Sequence, residues 1–283
     1  MVGMAVDLHA HSAASDGSDT PAELVGLAAQ AGLSAIALTD HDTLEGIPEA
    51  RKEAGRVGIE LISGVELACR WDRGGLHIVS LFIEPEAGPL QDRLAEFRAG
   101  REVRNRKICR LLQEIGIEIN YQEVLDQAQG DSVGRPHFGA LLVAKGYVPD
   151  ISSAFRDYLG HDGVAYAVRP LLPLEEVVGL VRNSGGVPVL AHPHTLGLNT
   201  ADEYADFFRK AASYGLVGVE CYYSGYSTET RRQLEESIRS FGLLPSGGSD
   251  YHGSYKPDLQ VGVGKGDLMV PDRILEDLRA RRS

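Results

Sequence analysis

The chain has 283 residues, 43% of them hydrophobic, enough for one large domain or for one domain carrying an insertion. Asp and Glu outnumber Lys and Arg by 40 to 28, a net charge of −12, which argues against duplex nucleic acid as a partner and leaves phosphate binding to bound cations. Three cysteines, Cys69, Cys109 and Cys221, with no CxxC, point to a reducing, cytoplasmic setting, and neither a signal peptide nor a membrane span is expected.

Met4 to Leu8 reads as a short buried strand, followed by His9-Ala10-His11 and then Asp16. Residues two apart on a strand share a face, so His9 and His11 can reach one point, an arrangement suited to a divalent ion. A lone His-x-His is weak evidence, because surface histidines give it too. Thr20-Pro21-Ala22-Glu23 starts a helix with a capping box, and Gly32 ends it. Ser34 to Thr39 is a strand running into Asp40-His41-Asp42. A helix over Ile47 to Val57, closed by Gly58, leads to a strand from Ile59 to Leu67 that contains Gly64-Val65-Glu66. Short apolar strands alternating with amphipathic helices predict parallel strands in an α/β barrel or open sheet, with the site at the strand exits.

The next turn, Asp72-Arg73-Gly74-Gly75, is too short for a crossover and predicts an antiparallel hairpin into Leu76 to Ile83. If Arg70 pairs with His77, Glu66 and His77 share a face but stand four residues out of step, so a bulge after Glu66 is expected. Pro89 to about Gly116 reads as one long helix rich in Arg and Lys, and a solvated face is the preferred reading over a basic wall beside an anionic substrate. Three short helices follow, over 121–130, 135–146 and 151–159, and residues 99–165 read as a helical insertion between 1–98 and 166–283. Alternation resumes with a helix over Leu174 to Ser184 and a strand over Val187 to Ala191 that ends in His192-Pro193-His194. Next come a capped helix from Thr200, a strand over Val217 to Tyr222 carrying Glu220, and a helix over Thr228 to Phe241. After Ser249-Asp250-Tyr251-His252, Val261 to Gly264 is a candidate last strand and Pro271 to Arg282 a closing helix.

Six of the nine histidines thus fall at strand ends beside carboxylates. Imidazole and carboxylate without thiolate suit Mn²⁺, Zn²⁺ or Fe²⁺, with manganese foremost here, and nine candidate ligands exceed what one ion takes. The candidates are His9, His11, Asp16, His41, Glu66, His77, His192, Asp250 and His252.

These motifs, in this order, resemble those of the PHP (polymerase and histidinol phosphatase) family: His9-Ala10-His11-Ser12, Ser15-Asp16-Gly17, Leu38 to Asp42, Gly64-Val65-Glu66, His77-Ile78-Val79, Ala191-His192-Pro193 and Ser249 to His252. The resemblance implies a distorted seven-stranded (β/α) barrel with two or three divalent ions. It implies one ion on His9, His11, Glu66 and Asp250, a second on Glu66, His77 and His192, and a third on Asp16, His41 and His252, with Asp40 supporting a histidine. It also implies phosphate-ester hydrolysis by metal-activated hydroxide, in a pocket made positive by its ions. Gly134 to Phe138 resembles the branch acting on nucleoside 3',5'-bisphosphates and short oligonucleotides, with Arg135 and His137 on the substrate phosphate. The branch has Gly-Arg where this chain has His194-Thr195, so Lys256 or His194 would substitute, and His194 is the expected acid for the leaving alkoxide. Two rival readings are a histidinol-phosphate phosphatase and a metal-binding module without turnover.

Overall fold

The computed structural model describes residues 5–86, 88–128, 130 and 132–282. Met4, read as part of the first strand, lies outside them, as does Gln129 in the stretch read as a helix over 121–130. The elements run β1 (Ala5–Asp7), α1 (Pro21–Gln30), β2 (Ala35–Leu38), α2 (Ile47–Val57), β3 (Glu60–Ala68) and β4 (His77–Leu81). Four helices follow without a strand: α3 (Pro89–Glu114), α4 (Tyr121–Gln127), α5 (Arg135–Ala144) and α6 (Ile151–Ala154), the last continuing as a π-helical turn over Phe155–Leu159. Alternation then returns with α7 (Leu174–Asn183), β5 (Val187–Leu190), α8 (Ala201–Ser213), β6 (Gly218–Tyr223), α9 (Thr228–Arg239), β7 (Leu244–Gly248), β8 (Val270–Pro271) and α10 (Arg273–Arg279). The Thr20 and Thr200 capping boxes both form, and Gly58 stops α2 at φ 80°, a conformation favourable for glycine.

The strands form one mixed sheet in the order β7-β6-β5-β4-β3-β2-β1-β8. It curls into a nearly closed barrel, with Leu8 N–H donating to Gly247 O at 3.1 Å across the seam. Strand alternation divides the core. Val6, Ala35, Ile62, Val79, Val187 and Val189 pack in one cluster, while Ile36, Leu38, Val65, Ile78 and Val219 pack in another together with residues of α1, α2, α7 and α8. Glu66 shares the parity of Ile62, and His77 that of Val79. A third core, drawn from residues 108–167, holds the helical stretch together. Helix α3 is continuous across residues 98 and 99.

Two expectations fail. Ala68, not Arg70, opposes His77, and the β3–β4 register from Gly64 to Ala68 is regular, so no bulge follows Glu66. The hairpin closes two residues earlier because Arg70 leaves the pair to bridge Pro173. Val261 to Gly264 is not a strand. It is a turn closed by Gln260 against Gly264, and Val270–Pro271 supplies the eighth strand, antiparallel to β1.

Candidate metal centre

The strand exits converge. His9 and His11 continue beyond β1 in extended backbone, tied by Asp250 N to His9 O at 2.8 Å and His11 N to Tyr251 O at 2.9 Å. His41 follows β2, Glu66 lies within β3, His192 follows β5, and Asp250 and His252 follow β7. β4 runs antiparallel, so its first residue, His77, stands at the end where its neighbours finish. The non-glycine residues Asp42, His192 and Asp250 adopt positive φ of 55°, 27° and 52°, which places backbone strain at this rim.

The donor atoms face one another. His9 Nε2 and His11 Nε2 are 3.0 Å apart. Each lies near Glu66 Oε2, at 3.5 and 3.3 Å, and each is 3.6 Å from Asp250 Oδ1. The other oxygen of Glu66, Oε1, meets His77 Nδ1 at 2.9 Å and His192 Nε2 at 3.0 Å. Asp16 Oδ1 is 3.6 Å from His252 Nε2 and 3.7 Å from His11 Nδ1, while its Oδ2 is 3.8 Å from His41 Nε2. Ligands around an ion held at about 2.1 Å stand roughly 3.4 Å apart, so these separations fit shared cations.

The protein leaves a demand for cations here. His11 Nδ1 and His41 Nδ1 are buried without a hydrogen-bond partner. Burial opposes ionisation of Glu66 and Asp250, yet His41 and His77 around the first, and Lys256 and His252 around the second, hold both well below the usual carboxylate range. Burial pushes His41 down to about 3 and His252 well below its ordinary value. Ionised carboxylates and neutral imidazoles are the forms that bind metal. His9 goes the other way: burial lowers it, but Glu220, Glu66 and Asp250 raise it well above its ordinary value, calling for positive charge at that point. The donor set fits divalent ions of the imidazole–carboxylate class.

Comparisons agree with this geometry. Residues 7–121 match the PHP domain family. A 3',5'-nucleoside bisphosphate phosphatase from Chromobacterium violaceum is 33% identical over 98% of this chain and 97% of its own. The chain belongs to the PHP family. A 5'-3' exoribonuclease from Haemophilus influenzae is 35% identical, over 87% of this chain and 89% of that protein. A crystal structure from Bifidobacterium adolescentis, titled as a metal-dependent phosphoesterase, superposes with a TM-score of 0.88 at 30% identity, covering 99% of this chain and 97% of that one.

Around the PHP centre, several supports come from residues that sequence reasoning left out. Glu220 Oε1 holds His9 Nδ1 at 2.8 Å, and its Oε2 accepts the His192 N–H at 2.5 Å, so one buried acid orients two histidines. Its signal was a carboxylate inside an apolar strand. Tyr223 Oη donates to Asp250 Oδ2 at 2.8 Å. Asp7, also buried, accepts the backbone N–H of Ser249 at 2.9 Å and of Gly262 at 2.8 Å.

The remaining candidates divide. Asp40 accepts from Ser12 N, Ser12 Oγ and Ser15 Oγ at 2.6–2.8 Å, so it braces the loop carrying Asp16 and makes no bond to a histidine ring. His137 is buried, and its Nδ1 accepts the Gly134 N–H at 3.0 Å, which caps α5. Arg135 lines the cleft, with Nη2 on Ala167 O at 2.9 Å. Lys256 also lines it, with Nζ 2.5 Å from Asp250 Oδ2. His194 stands at the exposed rim, with Nδ1 2.8 Å from Tyr226 Oη. Burial and His192 lower its pKa.

The preferred reading of α3 as a solvated face fails in its middle. Arg101 and Arg104 are buried and line the cleft. Arg101 Nε pairs with Asp42 Oδ2, which Arg169 Nη2 also reaches at 2.6 Å.

Proposed function

We propose that this chain, a PHP hydrolase of phosphoric ester bonds, releases phosphate from a nucleoside 3',5'-bisphosphate or a short oligonucleotide. The observation that carries this reading is one cleft lined both by His/Asp residues of the cluster and by five arginines, a pairing suited to a small polyanion. The names of the Chromobacterium and Haemophilus relatives support it.

In this reading His9, His11, Glu66 and Asp250 hold one ion, Glu66, His77 and His192 a second, and Asp16, His41 and His252 a third. His11 Nδ1 adds to the third set, which it joins in space. Manganese is the favoured metal, with zinc and iron also suited to the donors. When bound, such ions neutralise phosphoryl oxygens and acidify water. The chain's own groups do the rest. Arg135 gives a substrate phosphate a guanidinium fork. Lys256 keeps Asp250 Oδ1 turned toward His9 and His11 and has further N–H bonds to give. His194, its ring fixed by Tyr226, protonates the leaving alkoxide, and the charge of an arriving phosphate raises its pKa toward that task. Residues 99–165 form the helical unit that supplies Arg101, Arg104 and Arg135 to the cleft.

The test is phosphate release from adenosine 3',5'-bisphosphate, short RNA and histidinol phosphate with added Mn²⁺, before and after chelation. Release from the first two, abolished by chelator, is the expected result. Full metal occupancy without turnover on any of the three would leave a metal-binding module instead.

A further inference from the structure

The ligand set Asp16, His41 and His252 differs from the other two in what supports it. Glu220 orients His9 and His192, and Tyr223 and Lys256 hold Asp250, so those supports come from the strands and loops of the barrel. Each member of the third set is instead met, directly or through a near neighbour, by helices α3–α6, which share a core of their own. Asp42, the residue after His41, pairs with Arg101 of α3, and its carbonyl accepts from Arg98 Nη1 at 3.0 Å. Tyr255, three residues after His252, takes Gln127 Nε2 of α4 on its hydroxyl at 3.4 Å. Its ring also meets the His137 ring of α5 edge-on, with centroids 5.6 Å apart.

Asp16 is met most closely. Gly134 caps α5 directly against it. A Cβ on Gly134 would overlap Asp16 Oδ2 and stand 2.8 Å from Asp16 Cβ and 3.0 Å from its Cγ. Unbonded carbons settle at about 3.5–4.0 Å. Turning the carboxylate would clear the oxygen but not Asp16 Cβ, which the backbone fixes. His137 Nδ1, accepting the Gly134 N–H, pins this turn in place. Gly130 makes a similar approach, since a Cβ there would strike the Ala14 carbonyl in the loop that carries Asp16. Asp16 is buried and its oxygens face His11, His41 and His252, so it can retreat from α5 only by leaving them.

We propose that Gly134 is a positioning residue for Asp16, through which the docked helices α3–α6 complete the third ion site, while the other two ions are held by residues that the barrel supports alone. The inference rests on the assignment of Asp16, His41 and His252 to a third ion made above. It links the helices that bring arginines to the cleft with the filling of one particular metal site. The third ion and the seating of the helices then stabilise each other by equal amounts.

The test is a titration of metal-free protein with Mn²⁺, counting bound ions per chain from the spin-resonance signal of the free ion. It compares the wild type with Gly134→Ala, Asp16→Ala, the double variant and Gly139→Ala. Gly139 lies on the same helix but faces Ile151 and Ala154, so its methyl alters α5 and spares Asp16. The wild type takes three ions. Gly134→Ala keeps two at unchanged affinity and binds the third about 10- to 100-fold more weakly, the range for losing a support of a metal ligand. Gly139→Ala keeps all three, and the double variant matches Asp16→Ala because the glycine acts through that ligand. Tyr255→Ala changes a half-buried side chain, weakens the same ion, and carries the test if Gly134→Ala does not fold. Three outcomes overturn the assignment: an unchanged third ion in whichever of these two folds, an equal loss in Gly139→Ala, or a double variant weaker than Asp16→Ala at the first two ions. A wild type that never takes more than two ions overturns the three-ion reading itself, and the inference with it.

Discussion

In the metal cluster every carboxylate is surrounded by imidazoles; in the arginine-lined wall of the same cleft, Arg101 and Arg169 pair with one aspartate, Asp42, while Arg104 and Arg135 bond neutral groups. Both regions are buried charge in the same cleft, and both are incomplete, with opposite signs. The cluster presents ionised oxygens and unpartnered ring nitrogens, so it draws cations. The wall includes two guanidiniums, Arg104 and Arg135, whose hydrogen bonds end on carbonyls and an amide, so it draws anions. A phosphate ester placed between them satisfies both. An acidic chain can therefore bind a polyanion, because the local balance and not the net charge meets the ligand.

The sharpest way to break the comparison is Glu66→Ala. One oxygen of Glu66 faces His9, His11 and His41 and the other faces His77 and His192, so its loss undoes more than one ion site. Metal content measured by plasma mass spectrometry should drop by more than one ion per chain, and turnover about 1,000-fold. Loss of one ion with most activity kept would show that the sets do not meet at Glu66.

Asp42→Asn attacks the other region. It leaves Arg101 and Arg169 buried without their partner, and urea denaturation should show a loss of about 3–5 kcal/mol. The pH dependence has a definite sign. Burial raises the Asp42 carboxyl, but Arg101 and Arg169 overcome this and bring it down to about 2. A depressed acid stabilises above its unfolded pKa and loses that contribution as pH falls through the folded one. About 2 kcal/mol of the gap between wild type and variant should thus vanish between pH of about 4 and about 2. A gap that holds constant over that window would mean that the Asp42 charge is not what anchors the wall.

Smaller effects sharpen the details. His194→Ala should lower kcat about 100-fold for an alkoxide leaving group and far less for 4-nitrophenyl phosphate, whose leaving group needs no proton. Equal losses on the two would take His194 out of the acid role. Glu220→Gln should weaken metal binding about 10- to 100-fold in a competition titration with a fluorescent chelator, because His9 and His192 lose their common support. Unchanged affinity would make Glu220 a packing residue.

Much of the barrel was legible because its signals are local. The short apolar runs of β2 and β3, the capping boxes at Thr20 and Thr200 and the glycine stop after α2 each need only a few neighbouring residues. The arginine wall was hidden because Arg98, Arg101 and Arg104 repeat every three residues. That spacing puts them along one side of a helix, but it cannot say whether that side meets water or a cleft. The β3–β4 register was misjudged for a related reason: it depends on Arg70 leaving the hairpin for Pro173, about a hundred residues away in sequence. The type and motif of His137 were visible in the sequence, while the Gly134 N–H that its Nδ1 caps was not.

The sequence by itself determined which donors this protein owns and that they end up at strand exits, since apolar runs and the polar residues that terminate them are written in consecutive positions. Only the tertiary structure decided which donors stand close enough to share an ion, that His11 faces two groups at once, and that Arg104, among the described residues, bonds only Asn105 and Val133. Those are distances between segments as remote as His9 and Glu220, fixed when the sheet curls and closes, and the electrostatics of burial follow from that closure.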